Sequence, residues 1–93
     1  HRRARGLGER LARVPGLRVD LDKVQTNMVY ADTRGSGVPA ADMVRHLAAA
    51  GVWCLDEGPW TIRLVTHLDV DDAAVEEAGE VVAAVVERVA RSG

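Results

Sequence analysis

Apolar residues at Ala4, Leu7, Leu11 and Val14 recur at intervals of three and four with arginines between them, which is the spacing of one helix face. Pro15-Gly16 ends that helix, because proline removes a donor and glycine supplies positive φ. From Val24 to Asp32 the period falls to two, with Val29 and Ala31 on one side and Met28 and Tyr30 on the other, the pattern of a strand. A weaker extended stretch, Leu17 to Leu21, precedes it, and a polar, glycine-containing loop follows from Thr33 to Val38. Pro39 stands at a first helical position, Met43, Val44, Leu47 and Ala48 make an apolar face, and Gly51 takes the C-cap place. Val52 to Leu55 and Thr61 to Thr66 read as strands around a turn from Asp56 to Pro59. The last helix is expected from about Asp71 to Arg91. Its apolar stripe is Val75, Ala78, Val82, Val85 and Val89, with acids near its start and Arg88 and Arg91 near its end to suit the dipole.

The order helix, strands, helix, strand, strand, helix contains no repeat. The last two strands are joined by too short a turn for a crossover, so they must be antiparallel. The expected fold class is therefore α+β, a small and mainly antiparallel sheet with helices packed on one face. At 93 residues the chain fits one domain, 1–93. The opposite sheet face, carrying Arg63, Val65 and His67 by alternation, is left to meet another domain. No Ser, Thr, Asp or Asn caps the first stripe, so the helix reads as the inner part of a longer one and the chain as a piece of a larger protein.

Composition narrows the partners. Hydrophobic residues at 47% and charged residues at 28% argue for a folded chain, and without phenylalanine the core must be built from Val, Leu and Ala. The formal net charge of −2 gives no reason to expect nucleic acid or anionic lipid. The local basic cluster Arg2, Arg3, Arg5, Arg10 and Arg13 reads as a solvated helix face, since no aromatic residues interleave with it. There is no apolar run of membrane-spanning length and no signal peptide, so a cytoplasmic protein is expected. Cys54, the single cysteine, sits in an apolar run and reads as a small buried hydrophobe.

Three groups could carry chemistry. Asn27 within a β pattern is unusual, and its amide needs partners, either as a structural bridge or as a ligand contact. Arg63, mid-strand between Ile62 and Leu64, needs an acceptor. Its planar fork matches a carboxylate, from the protein or from a substrate. His67, Asp69, Asp71 and Asp72 offer metal ligands, although Asp71 and Asp72 are better placed as the cap and first turn of the last helix. No nucleophile-base set, phosphate-cradling glycine loop or zinc spacing is present. A free-standing small-molecule or protein-binding α+β module therefore remains the alternative to an enzyme segment.

Val24-Gln25-Thr26-Asn27-Met28-Val29, followed by Ile62-Arg63-Leu64-Val65-Thr66-His67-Leu68-Asp69-Val70, resembles the C-terminal region of threonine aldolases. Leu17 to Asp20 and Leu47 to Val52 fit the same run of elements, so the resemblance covers nearly the whole chain. It implies the C-terminal small domain of a fold type I enzyme dependent on pyridoxal phosphate (PLP), usually a homo-oligomer. Such an enzyme cleaves β-hydroxy amino acids such as threonine to glycine and an aldehyde. In that family the small domain supplies an arginine to the substrate carboxylate, and Arg63 matches it; Asn27 and His67 stand as active-site or structural supports. The large domain supplies the Schiff-base lysine and most phosphate contacts. The only lysine here, Lys23, matches no such motif. The resemblance thus implies that the cofactor domain lies outside this chain and that the chain alone is inactive.

Overall fold

A computed structural model describes residues 2–24, 27–65 and 72–92, except the side chains of residues 3, 23 and 92. The chain runs through α1 (Arg2–Ala12), β1 (Arg18–Val19), a 3-10 turn at Leu21–Lys23 and β2 (Met28–Asp32). A second 3-10 turn at Arg34–Ser36, α2 (Ala40–Ala49), β3 (Cys54–Asp56), β4 (Thr61–Val65) and α3 (Asp72–Ser92) follow. The four strands form one sheet in the order β1-β2-β4-β3, with every neighbouring pair antiparallel. β4 is central: Tyr30 of β2 and Leu55 of β3 both stand opposite Arg63.

Alternation along these strands decides which face is covered. Val29, Ala31, Ile62, Leu64 and Cys54 are buried on one face. On that face α1 lies against β1 and β2, α2 lies against β3 and β4, and α3 packs on both helices and on the 34–36 turn. All four positions of the first stripe, Ala4, Leu7, Leu11 and Val14, are buried. On α3 the stripe is buried at Val75, Val82, Val85 and Val89, with Val86 added to it and Ala78 only partly covered. The buried set is aliphatic, as the composition requires, and Trp53 is exposed.

Local chemistry sets the element ends. The Asp20 carboxylate accepts from the Asp22 N–H at 3.1 Å and starts the turn at Leu21–Lys23. Among the described residues the second strand therefore begins at Met28 and not at Val24, and Asn27 lies on the bend before it. Pro39 is the residue before α2 and not its first residue; its carbonyl accepts from Met43 N–H at 2.9 Å. The first amide of α2, that of Ala40, donates to the Pro59 carbonyl at 2.9 Å, which ties the helix start to the β3–β4 turn. At the other end Gly51 N–H donates to Ala48 O and Val52 N–H to Leu47 O, closing a Schellman motif. That motif needs the left-handed conformation Gly51 adopts at φ 88°.

The 33–38 segment, read from the sequence as a polar loop, is internally bonded. Thr33 is fully buried; its Oγ1 donates to Val38 O at 2.7 Å and its N–H to Trp60 O at 2.7 Å. Ser36 Oγ donates to Thr33 O at 2.6 Å and accepts from Val38 N–H at 3.1 Å. The arginines of α1 also find partners. Arg2 reaches Asp72 at 3.4 Å and Arg10 approaches Glu76 at 3.9 Å, so part of the basic cluster faces the acidic start of α3. The two helices come close where α3 has Gly79: a Cβ there would stand 2.5 Å from Arg10 Cγ.

Candidate functional site

The uncovered face of the sheet is where side chains with chemistry collect. Strand alternation sends Met28, Tyr30 and Asp32 of β2, Thr61, Arg63 and Val65 of β4, and Leu55 of β3 to this face. Trp53, immediately before β3, is 84% exposed, and Leu55 and Val65 are 52% and 38% exposed. These are the large hydrophobic side chains most exposed among the described residues, and they border one another. An apolar cleft of about 530 Å³ is lined from both sides of the sheet, by Trp53, Leu55 and Val65 here and by Leu7, Leu64 and Val75 on the helical side, with Arg63 also in its lining.

Arg63 occupies the middle of this face, in a row with Tyr30 on one side and Leu55 on the other. Its side chain is only 28% exposed. One end of the guanidinium is held, with Nη1 2.8 Å from Glu57 Oε1. Nε is buried and has no hydrogen-bond partner among the described residues. A buried N–H without an acceptor loses its hydration with nothing in return, so Nε is a donor whose hydrogen-bonding capacity is unspent. The arrangement can bind a carboxylate.

Glu57 reaches Arg63 because of the hairpin register. Its N–H donates to Thr61 O at 2.8 Å, continuing the β3–β4 ladder one residue past Asp56 and setting Glu57 opposite Thr61. Arg63 is two residues further along β4, so the two side chains are diagonal neighbours on one face, within reach of long side chains. Among the described residues the other carboxylate on this face, Asp32, is taken up locally: Oδ1 accepts from Arg34 N–H at 2.8 Å, and Oδ2 lies 4.0 Å from Arg34 Nη1. Sequence reading missed Glu57 because it was assigned to a turn.

The remaining sequence candidates stand apart from this centre. Asn27 is exposed on the bend before β2, three residues from Tyr30 and so about 10 Å along the strand from the level of Arg63. His67, Asp69 and Asp71 lie outside the described residues, and Asp72 is in the first turn of α3. Among the described residues no group of three His, Cys, Asp or Glu side chains comes together as a metal site. Cys54 is buried on the helical face, and its thiol is pushed up to about 11, first by burial and then by the Asp56 charge. It is the small hydrophobe expected of it.

No family model matches the chain. Two curated proteins do. Over 77 residues, 82% of this chain, it is 34% identical to a probable low-specificity L-threonine aldolase 2 of Arabidopsis thaliana. The chain is similar to a segment of threonine aldolases. It is also 30% identical over 76 residues to the low-specificity L-threonine aldolase 1 of the same plant. The match spans about a fifth of those threonine aldolases, 22% and 21% of their lengths, consistent with the C-terminal segment that the sequence words pointed to.

The described residues do not make a PLP site. A Schiff base needs a lysine amine within a phosphate-holding site. The single lysine of this chain, Lys23, belongs to the 3-10 turn that packs against α1, whereas Arg63 opens on the other face of the sheet. No step involving the cofactor is assigned to the described side chains.

Proposed function

We propose that this chain is the small-domain segment of a PLP-dependent threonine aldolase, and that Arg63 takes the α-carboxylate of a β-hydroxy amino-acid substrate. The observation that carries the reading is the state of Arg63: a guanidinium set amid apolar side chains on an uncovered sheet face, with a buried Nε–H that lacks an acceptor among the described residues. The similarity to threonine aldolases supplies the class of ligand. PLP, held by residues outside this segment, would supply the electron sink for breaking the Cα–Cβ bond. Arg63 would fix the carboxylate, and with it the orientation of the bond to be broken, by charge-assisted hydrogen bonds from a planar fork. The rest of the enzyme would cover Trp53, Leu55 and Val65, an apolar surface of the kind that marks an interface. The segment by itself would be inactive. A homo-oligomeric, cytoplasmic enzyme fits the same reading, and no helix among the described residues is long and apolar enough to cross a membrane.

The test is Arg63→Lys and Arg63→Ala in the full-length protein that carries this segment, with kcat/KM for threonine measured alongside PLP occupancy. A charge-assisted contact to a desolvated carboxylate contributes on the order of 2–4 kcal/mol, so kcat/KM should fall roughly thirty-fold to a thousand-fold. The lysine variant should fail too, because an ammonium lacks the fork. PLP occupancy should stay full. Unchanged kcat/KM at full occupancy would make Arg63 a structural ion-pair residue.

A further inference from the structure

Resting on the assignment of Arg63 as carboxylate anchor, we propose that Glu57 is its positioning residue: by holding Nη1, Glu57 fixes the guanidinium so that the Nε–Nη2 edge faces the substrate carboxylate. A guanidinium can grip a carboxylate through its two terminal nitrogens or through Nε and one of them. The first mode is taken up here, since Nη1 is ion-paired with Glu57 Oε1 at 2.8 Å. The second edge contains Nε, the buried donor with no acceptor among the described residues.

Glu57 is suited to the task because its own place is fixed. Its backbone N–H is bonded to Thr61 O, so the carboxylate comes from the hairpin ladder and not from a loose loop. Among the described residues the other acid on the face, Asp32, is engaged with the Arg34 N–H and guanidinium. Tyr30 and Leu55 stand opposite the arginine on the two neighbouring strands. Arg63 has several rotatable bonds, and an arginine free to sample rotamers binds its ligand only after losing that freedom. Glu57, 42% exposed, adds little stability through the pair itself. Its effect is on ligand binding, through the guanidinium it orients.

The experiment is a double-mutant cycle in the full-length protein, using Glu57→Gln, Glu57→Ala, Arg63→Ala and Glu57→Ala/Arg63→Ala, with kcat and KM for threonine measured separately. Glu57→Ala should raise KM about three-fold to ten-fold, the cost of one unrestrained side chain, and leave kcat within about two-fold. Glu57→Gln keeps an oxygen acceptor and should fall between wild type and alanine. In the double variant the Glu57 change should add nothing to Arg63→Ala, since a positioning residue has no effect without the residue it positions. If Glu57 instead blocks the site, KM would fall in Glu57→Ala. A lowered KM, an unchanged KM, or full additivity with Arg63→Ala would each overturn the proposal. The two readings fail differently: an inert Arg63→Ala removes the anchor itself, whereas a damaging Arg63→Ala with an inert Glu57→Ala removes only the positioning.

Discussion

Thr33→Val replaces a fully buried hydroxyl with a methyl group of nearly the same shape, so it changes hydrogen bonding with little change of volume. In the native loop Thr33 Oγ1 donates to Val38 O at 2.7 Å, and the surroundings are dry: Thr33 is 0% and Val38 8% exposed. The variant leaves the Val38 carbonyl without that donor. A buried acceptor deprived of its partner costs about 1–3 kcal/mol. The added methyl returns at most about 0.8 kcal/mol. The net loss should be about 1–2 kcal/mol, which for a domain of this size lowers Tm by roughly 5–15 °C.

Urea unfolding followed by circular dichroism measures the loss, with the slope m as a control that the unfolded state is unchanged. Ser36→Ala removes the hydroxyl that donates to Thr33 O and accepts from Val38 N–H, so it acts on the same small network. The two losses should not add when combined, because each weakens the loop that the other depends on. A Thr33→Val variant as stable as the parent, or more stable, would refute the claim that this network holds the segment between β2 and α2.

Two further outcomes follow from other contacts. Gly79→Ala gains about 1 kcal/mol of helix propensity, but its Cβ would stand 2.5 Å from Arg10 Cγ, and overpacking costs about 1–3 kcal/mol. The variant should be destabilised alone and stabilised in an Arg10→Ala background, and a gain in both backgrounds would show that the helices have room to spare. Cys54, with its thiol raised from 9.0 to about 11, should resist thiol reagents at neutral pH until the chain unfolds. Between about pH 9 and 11 the unfolded thiol has lost its proton and the folded one has kept it, so stability should fall across that window; a Cys54→Ala variant with the same fall would refute the attribution.

Much of this architecture was legible because it follows from local periodicity. The three- and four-residue spacing of Ala4, Leu7, Leu11 and Val14 marks a face that is buried throughout, and the period of two in Val29 and Ala31 marks the covered side of β2. The short turn at Gly58-Pro59 required an antiparallel β3–β4 pair, and that pair is present. The central place of β4 was not legible, since pairing Tyr30 with Arg63 joins residues 33 positions apart and depends on which strand edges meet. Thr33 and Ser36 looked like ordinary loop residues because burial of a hydroxyl leaves no periodic trace. Glu57 was hidden for a related reason: its diagonal relation to Arg63 exists only once the hairpin register is known.

The covered and uncovered faces of this sheet obey different physics, and Arg63 lies where they conflict. The helices bury Val29, Ile62 and Leu64, and hydrophobic burial alone explains that face. On the other side Trp53, Leu55 and Val65 remain exposed, which favours covering them with a further apolar surface. Covering them would also desolvate the guanidinium in their midst, which is costly unless the cover brings an acceptor or leaves a slot for one. A protein acid in that position would make Arg63 an interface residue, and Arg63→Ala would then loosen that interface without a specific effect on a carboxylate ligand. A slot left open would instead be filled by a carboxylate that arrives with the substrate. Glu57 bears on this choice, since it pairs with Nη1 while the buried Nε–H has no acceptor among the described residues. Half-satisfied pairing of this kind is unfavourable for a purely structural arginine, and the proposed carboxylate role rests on that imbalance.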